Sequence, residues 1–300
     1  MYVAIVGDLH GLVWHGLQLA VRLQQEVGSP LAAVLCTGDL AYFPDPDHLD
    51  KATAKHALDD PDELGFLQHF AAPVRAVQEW LDSLDCPPPP LYFVRGNHED
   101  HSALERYAYS RRPVEVDAYG LIRYLPDDVT LSLTGERSET LRAVGLGGIE
   151  RGNPRKHHPL RMIQEDLATR LLDRSPGSVD VLLTHDVPAS VPGLLSPRRP
   201  SRIGSEIVAL ALEHLQPAYH FCGHMHWQFG PWRQGRTQVV LMNILRGSPD
   251  QESPSPCSLA LLRWNGPQDH DLTTIEAEWF QTWRWRTPAR RRALSSPPSP

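Results

Sequence analysis

Long apolar runs are missing from this chain. No stretch reaches the roughly 18 consecutive apolar residues that a membrane-spanning helix needs, so no membrane partner is expected. The N terminus lacks the succession of basic segment, apolar core and small-residue cleavage site that marks a secretory leader, and a cytoplasmic protein is expected. Cysteine is scarce: Cys36, Cys86, Cys222 and Cys257 are the four present, and none forms a CxxC pair. That spacing excludes a disulfide framework or a thiolate zinc knuckle and favours buried free thiols. Positive charge is also in deficit. A formal net charge of -7 argues against a broad polyanion-binding face while leaving room for a local cationic pocket.

What is present suffices for a large core: 300 residues, 41% hydrophobic and 22% charged, as in ordinary globular proteins. Five apolar runs rich in β-branched residues read as buried strands: "YVAIVG", "LAAVLCTG", "LYFVRG", "VDVLLTH" and "AYHFCGH". Helical patterns at 15–27, 70–84, 162–174 and 203–215 separate several of them, which argues α/β layering. The later runs "QVVLMNIL", "SLALLRW" and "TIEAEWF" suggest a further, more antiparallel sheet. The expected fold is α/β, a two-sheet β-sandwich core flanked by helices, forming one domain over residues 1–285. The tail 286–300, "RTPARRRALSSPPSP", has no apolar periodicity and reads as disordered. Residues 44–64, acidic and bounded by prolines, read as a surface insertion with one helical turn.

Each of the five strand-like runs ends in a polar cluster: "GDLHG" (7–11), "GDLAY" (38–42), "GNHED" (96–100), "THD" (184–186) and "GHMH" (223–226). In open α/β sheets ligands gather beyond the carboxyl ends of strands, so five such endings can converge on one site. Asp8 and His10 are two apart, as are His224 and His226. In extended backbone such pairs point the same way and can grip one ion. Adding Asp39, Asn97 and His185 gives seven oxygen and nitrogen donors, too many for one tetrahedral site and suited to two neighbouring ions. By the same alternation His98 points away from Asn97 and is free for acid chemistry. Two divalent ions outweigh two carboxylates and a hydroxide, so the centre stays positive and favours an anionic phosphate ester.

The ordered set DxH (8–10), GD (38–39), GNHE (96–99), His185 and GHxH (223–226) resembles the calcineurin-like metallophosphoesterases. That resemblance implies a two-sheet sandwich with outer helices and a hydrolase of phosphate monoesters or diesters that uses two divalent metal ions, manganese, iron or zinc. It implies that Asp8, His10, Asp39 and His226 hold one ion, that Asp39 bridges, and that Asn97, His185 and His224 hold the other. A hydroxide between the ions would attack phosphorus, with His98 beside the leaving group. The chain departs from the protein phosphatase branch, which reads GDxxDRG: Tyr42 stands where that branch has the aspartate that orients its histidine, and the phosphate-binding arginine is missing. "GNHE", "THDVP" and "GHMHWQF" are similar to the RNA lariat debranching branch, which usually carries cysteine at the position of Asp8. A nucleic-acid or nucleotide phosphodiesterase is therefore one alternative. A non-catalytic scaffold of the same fold is another, against which stands the retention of every ligand position.

Other features read more plainly. His48, His56, His101, His157 and His158 are expected to be solvated loop residues, and Arg151 of "GGIERG" surface charge. Trp279, Trp283 and Trp285 sit at strand-like spacing with an arginine between the last two, an aromatic and basic interleaving that can bind single-stranded nucleic acid. A strand edge packed on the core is the simpler expectation.

Overall fold

A computed structural model describes residues 1–152, 155–189, 204–227 and 229–285; the tail expected from residue 286 lies outside them. The first half carries β1 (Tyr2–Val6), α1 (Val13–Val27), β2 (Ala33–Cys36), α2 (Lys51–Asp59), α3 (Gly65–His69), α4 (Arg75–Asp82), β3 (Leu91–Phe93), α5 (His101–Glu105), β4 (Val114–Glu115) and β5 (Ile122–Tyr124). The second carries β6 (Thr130–Thr134), β7 (Thr140–Leu146), α6 (Glu165–Leu172), β8 (Val181–Thr184), α7 (Glu206–Leu215), β9 (Tyr219–Cys222), β10 (Phe229–Gln234), β11 (Thr237–Leu241), β12 (Leu259–Gly266), β13 (Asp269–Thr274) and α8 (Glu278–Gln281).

These strands build two sheets, one ordered β13-β12-β1-β2-β3-β5-β4 and the other β10-β11-β9-β8-β7-β6. The centre of each sheet is parallel, with β1, β2, β3 and β5 in the first and β11, β9, β8 and β7 in the second. Strand alternation explains the layering. Val3 and Ile5 join Leu35, Tyr92, Leu183 and Phe221 in the core between the sheets, whereas Ala4 and Val6 pack with Leu17 and Ala20 of α1 on the outer face. On the far side Val144 and Leu182 meet Leu171 of α6 and Val208 of α7. Both faces of each sheet are thus covered, which is why the central strands read as unbroken apolar runs. Burial of each such aliphatic side chain stabilises the fold by about 1.5–3 kcal/mol. Among the described residues no helix is long and apolar enough to cross a membrane.

Several expectations need correction. Among the described residues no further sheet forms: β12 runs antiparallel to β1 and extends the first sheet, while β10 and β11 extend the second. Both faces of β12 carry buried residues, so it needs an interior position. "TIEAEWF" is not a strand of its own; it holds the last residue of β13, a loop and the start of α8. Trp285, beyond it, packs all the same: it is buried and its ring lies 5.1 Å from His15 of α1. The helix expected from residue 70 begins at Arg75, because Pro73 disfavours helical backbone before it. The hairpin β6–β7 escaped notice although "TLSLT" alternates exposed and buried residues along its length.

His220 illustrates how firmly the second sheet excludes water. Its Nε2 lies 2.9 Å from Thr184 Oγ1, and burial pushes its pKa down to about 3. The unfolded chain binds a proton there below about pH 6.5 while the native state refuses it, so this residue's contribution is complete above that pH and is lost as pH falls toward 3. His220→Gln retains a partner for Thr184 and removes the titration. Its unfolding free energy, measured in urea between pH 6.5 and 4, should fall less steeply than that of the unchanged chain by about 1.4 kcal/mol per pH unit. Equal slopes would show that His220 titrates normally.

Candidate metal centre

The five polar endings meet where the carboxyl edges of the two sheets abut. β1, β2 and β3 deliver Asp8, His10, Asp39, Asn97 and His98 from the first sheet, and β8 and β9 deliver His185, His224 and His226 from the second. Two groups of donors result. Ligand atoms of Asp8, His10, Asp39 and His226 all lie within 4.8 Å of one another, and so do those of Asp39, His185 and His224. Asp39 belongs to both. Asn97 Oδ1 sits 3.1 Å from His185 Nε2, at the second group. The donor set of carboxylate, amide and imidazole suits divalent ions of borderline hardness, and two groups sharing one carboxylate suit a pair of them.

The loops that achieve this convergence are not extended. β1 ends at Val6, β2 at Cys36 and β3 at Phe93, and His10, Asp39, His224 and His226 have φ of 41, 42, 70 and 52°. Left-handed backbone is costly for such residues and clusters at functional sites. Asp8 and His10 therefore converge through a tight turn, not through strand alternation, whereas His224 and His226, expected to grip one ion, are turned into different donor groups. The same applies to His98, which diverges from Asn97 because residues 96–99 turn after β3.

Two glycines let the carboxylates come close. A Cβ on Gly96 would stand 2.0 Å from Asp39 Oδ1, and one on Gly223 would stand 2.1 Å from Asp8 Oδ1. In the space so kept, the His98 N–H donates to Asp39 Oδ1 at 2.7 Å and the His224 N–H to Asp8 Oδ2 at 2.8 Å. Glu99 supports the arrangement from below: it is buried and accepts from the N–H groups of Leu40 and Tyr42. His185 is held by its Nδ1, 3.0 Å from Thr37 O, which leaves Nε2 facing the cluster.

Charge at this edge calls for a cation. Asp8 and Asp39 are buried. The His10 and His226 Nε2 atoms approach to 3.2 Å, a contact between two potential lone pairs that requires a proton or an ion. Burial alone would lower the pKa of His10, yet Glu63, then Asp39 and Asp8, push it up to about 9. Burial would raise Asp39, but the charges of His185, His98 and His10 hold it far below the usual carboxylate range. His224 is pulled down to about 4 by burial and by the neighbouring His185. For His98, burial is outweighed by the Asp39 charge and by the hydrogen bond its ring makes to the Asp50 carboxylate, so its pKa rises.

Sequence reasoning missed the groups supplied by residues 44–64. The segment holds more than one helical turn: α2 is flanked by 3-10 turns at Pro46–His48 and Pro61–Leu64. Asp50 Oδ2 lies 3.0 Å from His98 Nδ1 and Glu63 Oε2 lies 3.7 Å from His10 Nδ1. Asp60 and Asp62 pair with buried Arg246 at 2.5 and 3.0 Å. His101, expected in solvent, opens α5 and is buried with Nε2 3.0 Å from Gly96 O. His48 is exposed as expected, although its Nδ1 lies 3.2 Å from Asp100 Oδ2. The preference of polar residues for solvent gives no hint that the His101 ring turns back onto the Gly96 loop. Tyr42, where the phosphatase branch has its aspartate, instead buries its ring 4.8 Å from that of Phe66. Arg151 is exposed, with Nε donating to Gly204 O.

Comparison with known proteins places this geometry. The chain is 23% identical over 256 residues to the lariat debranching enzyme of Drosophila pseudoobscura pseudoobscura and 23% identical over 255 to that of Drosophila melanogaster. Each match covers 76% of this chain and 43% of the relative, so the chain spans less than half the length of these enzymes. The structure described as GAP50, the anchor in the inner membrane complex of Plasmodium, shares the fold with a TM-score of 0.51 at 12% identity, covering 94% of this chain and 86% of that one. The model of the calcineurin-like phosphoesterase family matches residues 1–228, from the first strand through both histidines of GHMH, and the chain belongs to that family.

Proposed function

We propose that this protein is a hydrolase of phosphate esters that works with two divalent metal ions, the first held by Asp8, His10, Asp39 and His226 and the second by Asp39, Asn97, His185 and His224. The observation that carries this reading is the sharing of Asp39 between two donor groups. When bound, two such ions neutralise charge on the phosphoryl oxygens and lower the pKa of water enough to supply a nucleophile near neutral pH. The chain's own residues do the rest. Asp8 and Asp39, held by backbone N–H groups, keep the donors in place, and His98 stands beside His10, with ring centroids 5.5 Å apart. From there its Nε2 can give a proton to the departing oxygen. Residues 1–285 form the catalytic domain in this reading.

A second, narrower reading is a phosphodiesterase acting on nucleic acid. It draws support from the likeness to lariat debranching enzymes and from Trp227, which follows His226 directly and is 50% exposed, open to stacking on a base. A screen of p-nitrophenyl phosphate, bis-p-nitrophenyl phosphate and a 2′,5′-linked dinucleotide, each with manganese, iron or zinc, tests both. Turnover of the dinucleotide above the others favours the narrower reading. No turnover with any metal would overturn hydrolysis and leave a scaffold.

A further inference from the structure

We propose that Asp50, in the acidic segment between β2 and α3, is the positioning residue for His98. This inference rests on the phosphoesterase reading above. Asp50 Oδ2 lies 3.0 Å from His98 Nδ1, and that carboxylate is itself held. Asp50 Oδ1 caps α2, accepting from the N–H groups of Ala52 at 2.7 Å and Thr53 at 2.9 Å, while Oδ2 lies 3.2 Å from Thr53 Oγ1. One oxygen is therefore committed to the helix and the other is aimed at the imidazole. A reciprocal pair fixes the distance between the two loops: His48 Nδ1 meets Asp100 Oδ2, and Asp100 in turn caps α5 through the Ala103 N–H. The segment is clamped at its other end by Arg246 and by the close passage of Gly65 against Gly11, where a Cβ on Gly65 would stand 2.1 Å from Gly11 O.

The consequence for His98 is where its protons sit. A carboxylate can only accept, so Nδ1 must carry a proton, and the one given to the leaving group is a second proton, held on Nε2, whose loss leaves a neutral ring still bonded to Asp50 through Nδ1. The pair is partly exposed, at 21% for the His98 side chain and 24% for Asp50, and ion pairs so placed contribute little to stability. Its value lies in direction. Tyr42 is buried among aromatics, and Asp50 reaches His98 from outside the ordered motifs.

Asp50→Asn separates the two duties of the side chain. Asparagine caps helices as well as aspartate, and its single oxygen stays with the Ala52 and Thr53 N–H groups. The amide NH2 then faces His98 Nδ1 and keeps a proton off it, so the doubly protonated ring is lost and only a neutral imidazole, a far weaker acid, remains. Two-bond 1H–15N spectra of the zinc-loaded protein should show Nδ1 of His98 protonated in the unchanged chain and bare in the variant, with metal content the same. Turnover of alkyl phosphate esters should fall about 10–100-fold, the usual cost of removing a histidine's outer partner, with p-nitrophenyl esters slowed less. Asp50→Glu should restore part of the rate, and Asp50→Asn should slow His98→Asn no further. A proton still on Nδ1 in the variant, equal slowing of both ester classes, or an additive double variant would overturn the proposal. If the unchanged chain hydrolyses no ester, the phosphoesterase reading fails, while the Nδ1 measurement still decides whether Asp50 sets the state of His98.

Discussion

Asp39→Asn should strip the protein of its full complement of metal and abolish most of its activity. Asp39 Oδ2 lies 3.6 Å from His10 Nε2 and 3.5 Å from His185 Nε2, one imidazole from each donor group. No other carboxylate occurs in both groups. A bridging carboxylate shares a full negative charge between two cations; an amide offers an oxygen with no net charge and cannot offset their repulsion. The substitution spares the fold, because the asparagine oxygen can still accept from the His98 N–H that Asp39 Oδ1 binds at 2.7 Å. The variant is expected to retain fewer than two metal equivalents after dialysis and to hydrolyse esters more than about 100-fold slower, beyond the cost of losing an outer-sphere partner. Elemental analysis alongside a thermal melt tests this. Two equivalents bound as tightly as in the unchanged chain would remove the bridging role.

The frame of the site was legible because it is periodic. "YVAIVG" and "AYHFCGH" announce buried parallel strands, since both of their faces are covered, and an ending of Asp, Asn or His after such a run is physically conspicuous. The convergence of Asp8 with His10 was legible too, though for a reason that did not hold, while the expected pairing of His224 with His226 on one ion did not form: they fall in different donor groups. Both outcomes depend on left-handed backbone at His10, His224 and His226, and nothing in the residue types at these positions marks it, as glycine would. The antiparallel strands at the end of the chain were misassigned to a separate sheet because strand pairing is a long-range choice. β12 lies more than 250 residues from β1 in sequence and beside it in space.

Least legible was the segment at 44–64. Its composition of acids, prolines and histidines is that of a solvated loop, and composition carries no direction. Four of its carboxylates nonetheless find buried or half-buried basic partners: Asp50 meets His98, Glu63 meets His10, and Asp60 and Asp62 meet Arg246. An earlier clue was available in Gly11 and Gly65, whose lack of a side chain lets the segment's backbone pass against the first metal loop. A glycine's reason is visible only once its neighbour is known. The segment therefore joins the site as a source of second partners for its histidines, a role that ordered motifs cannot express because they record the residues that touch the ions and not those that hold them.

His98→Asn should leave both donor groups intact and still cost about a hundred- to ten-thousand-fold in turnover of alkyl esters, the range over which a positioned acid contributes. His98 takes part in neither donor group, and its backbone N–H, not its ring, binds Asp39. Metal content should therefore be unchanged. The ring itself is held on one side by Asp50 and lies against His10 on the other, so its free nitrogen borders the place where the leaving oxygen of a bound ester must pass. The size of the loss depends on that oxygen. An alkoxide is too basic to depart without a proton, whereas p-nitrophenolate is stable enough to leave nearly unaided, so the variant should slow alkyl esters severely and p-nitrophenyl esters far less. The unequal loss is the signature of an acid and distinguishes it from a residue that merely shapes the site. Rates on the two ester classes, taken with metal content on the same samples, decide the matter. Loss of metal, or equal slowing of both classes, would show that His98 serves the site in some way other than protonating the leaving group.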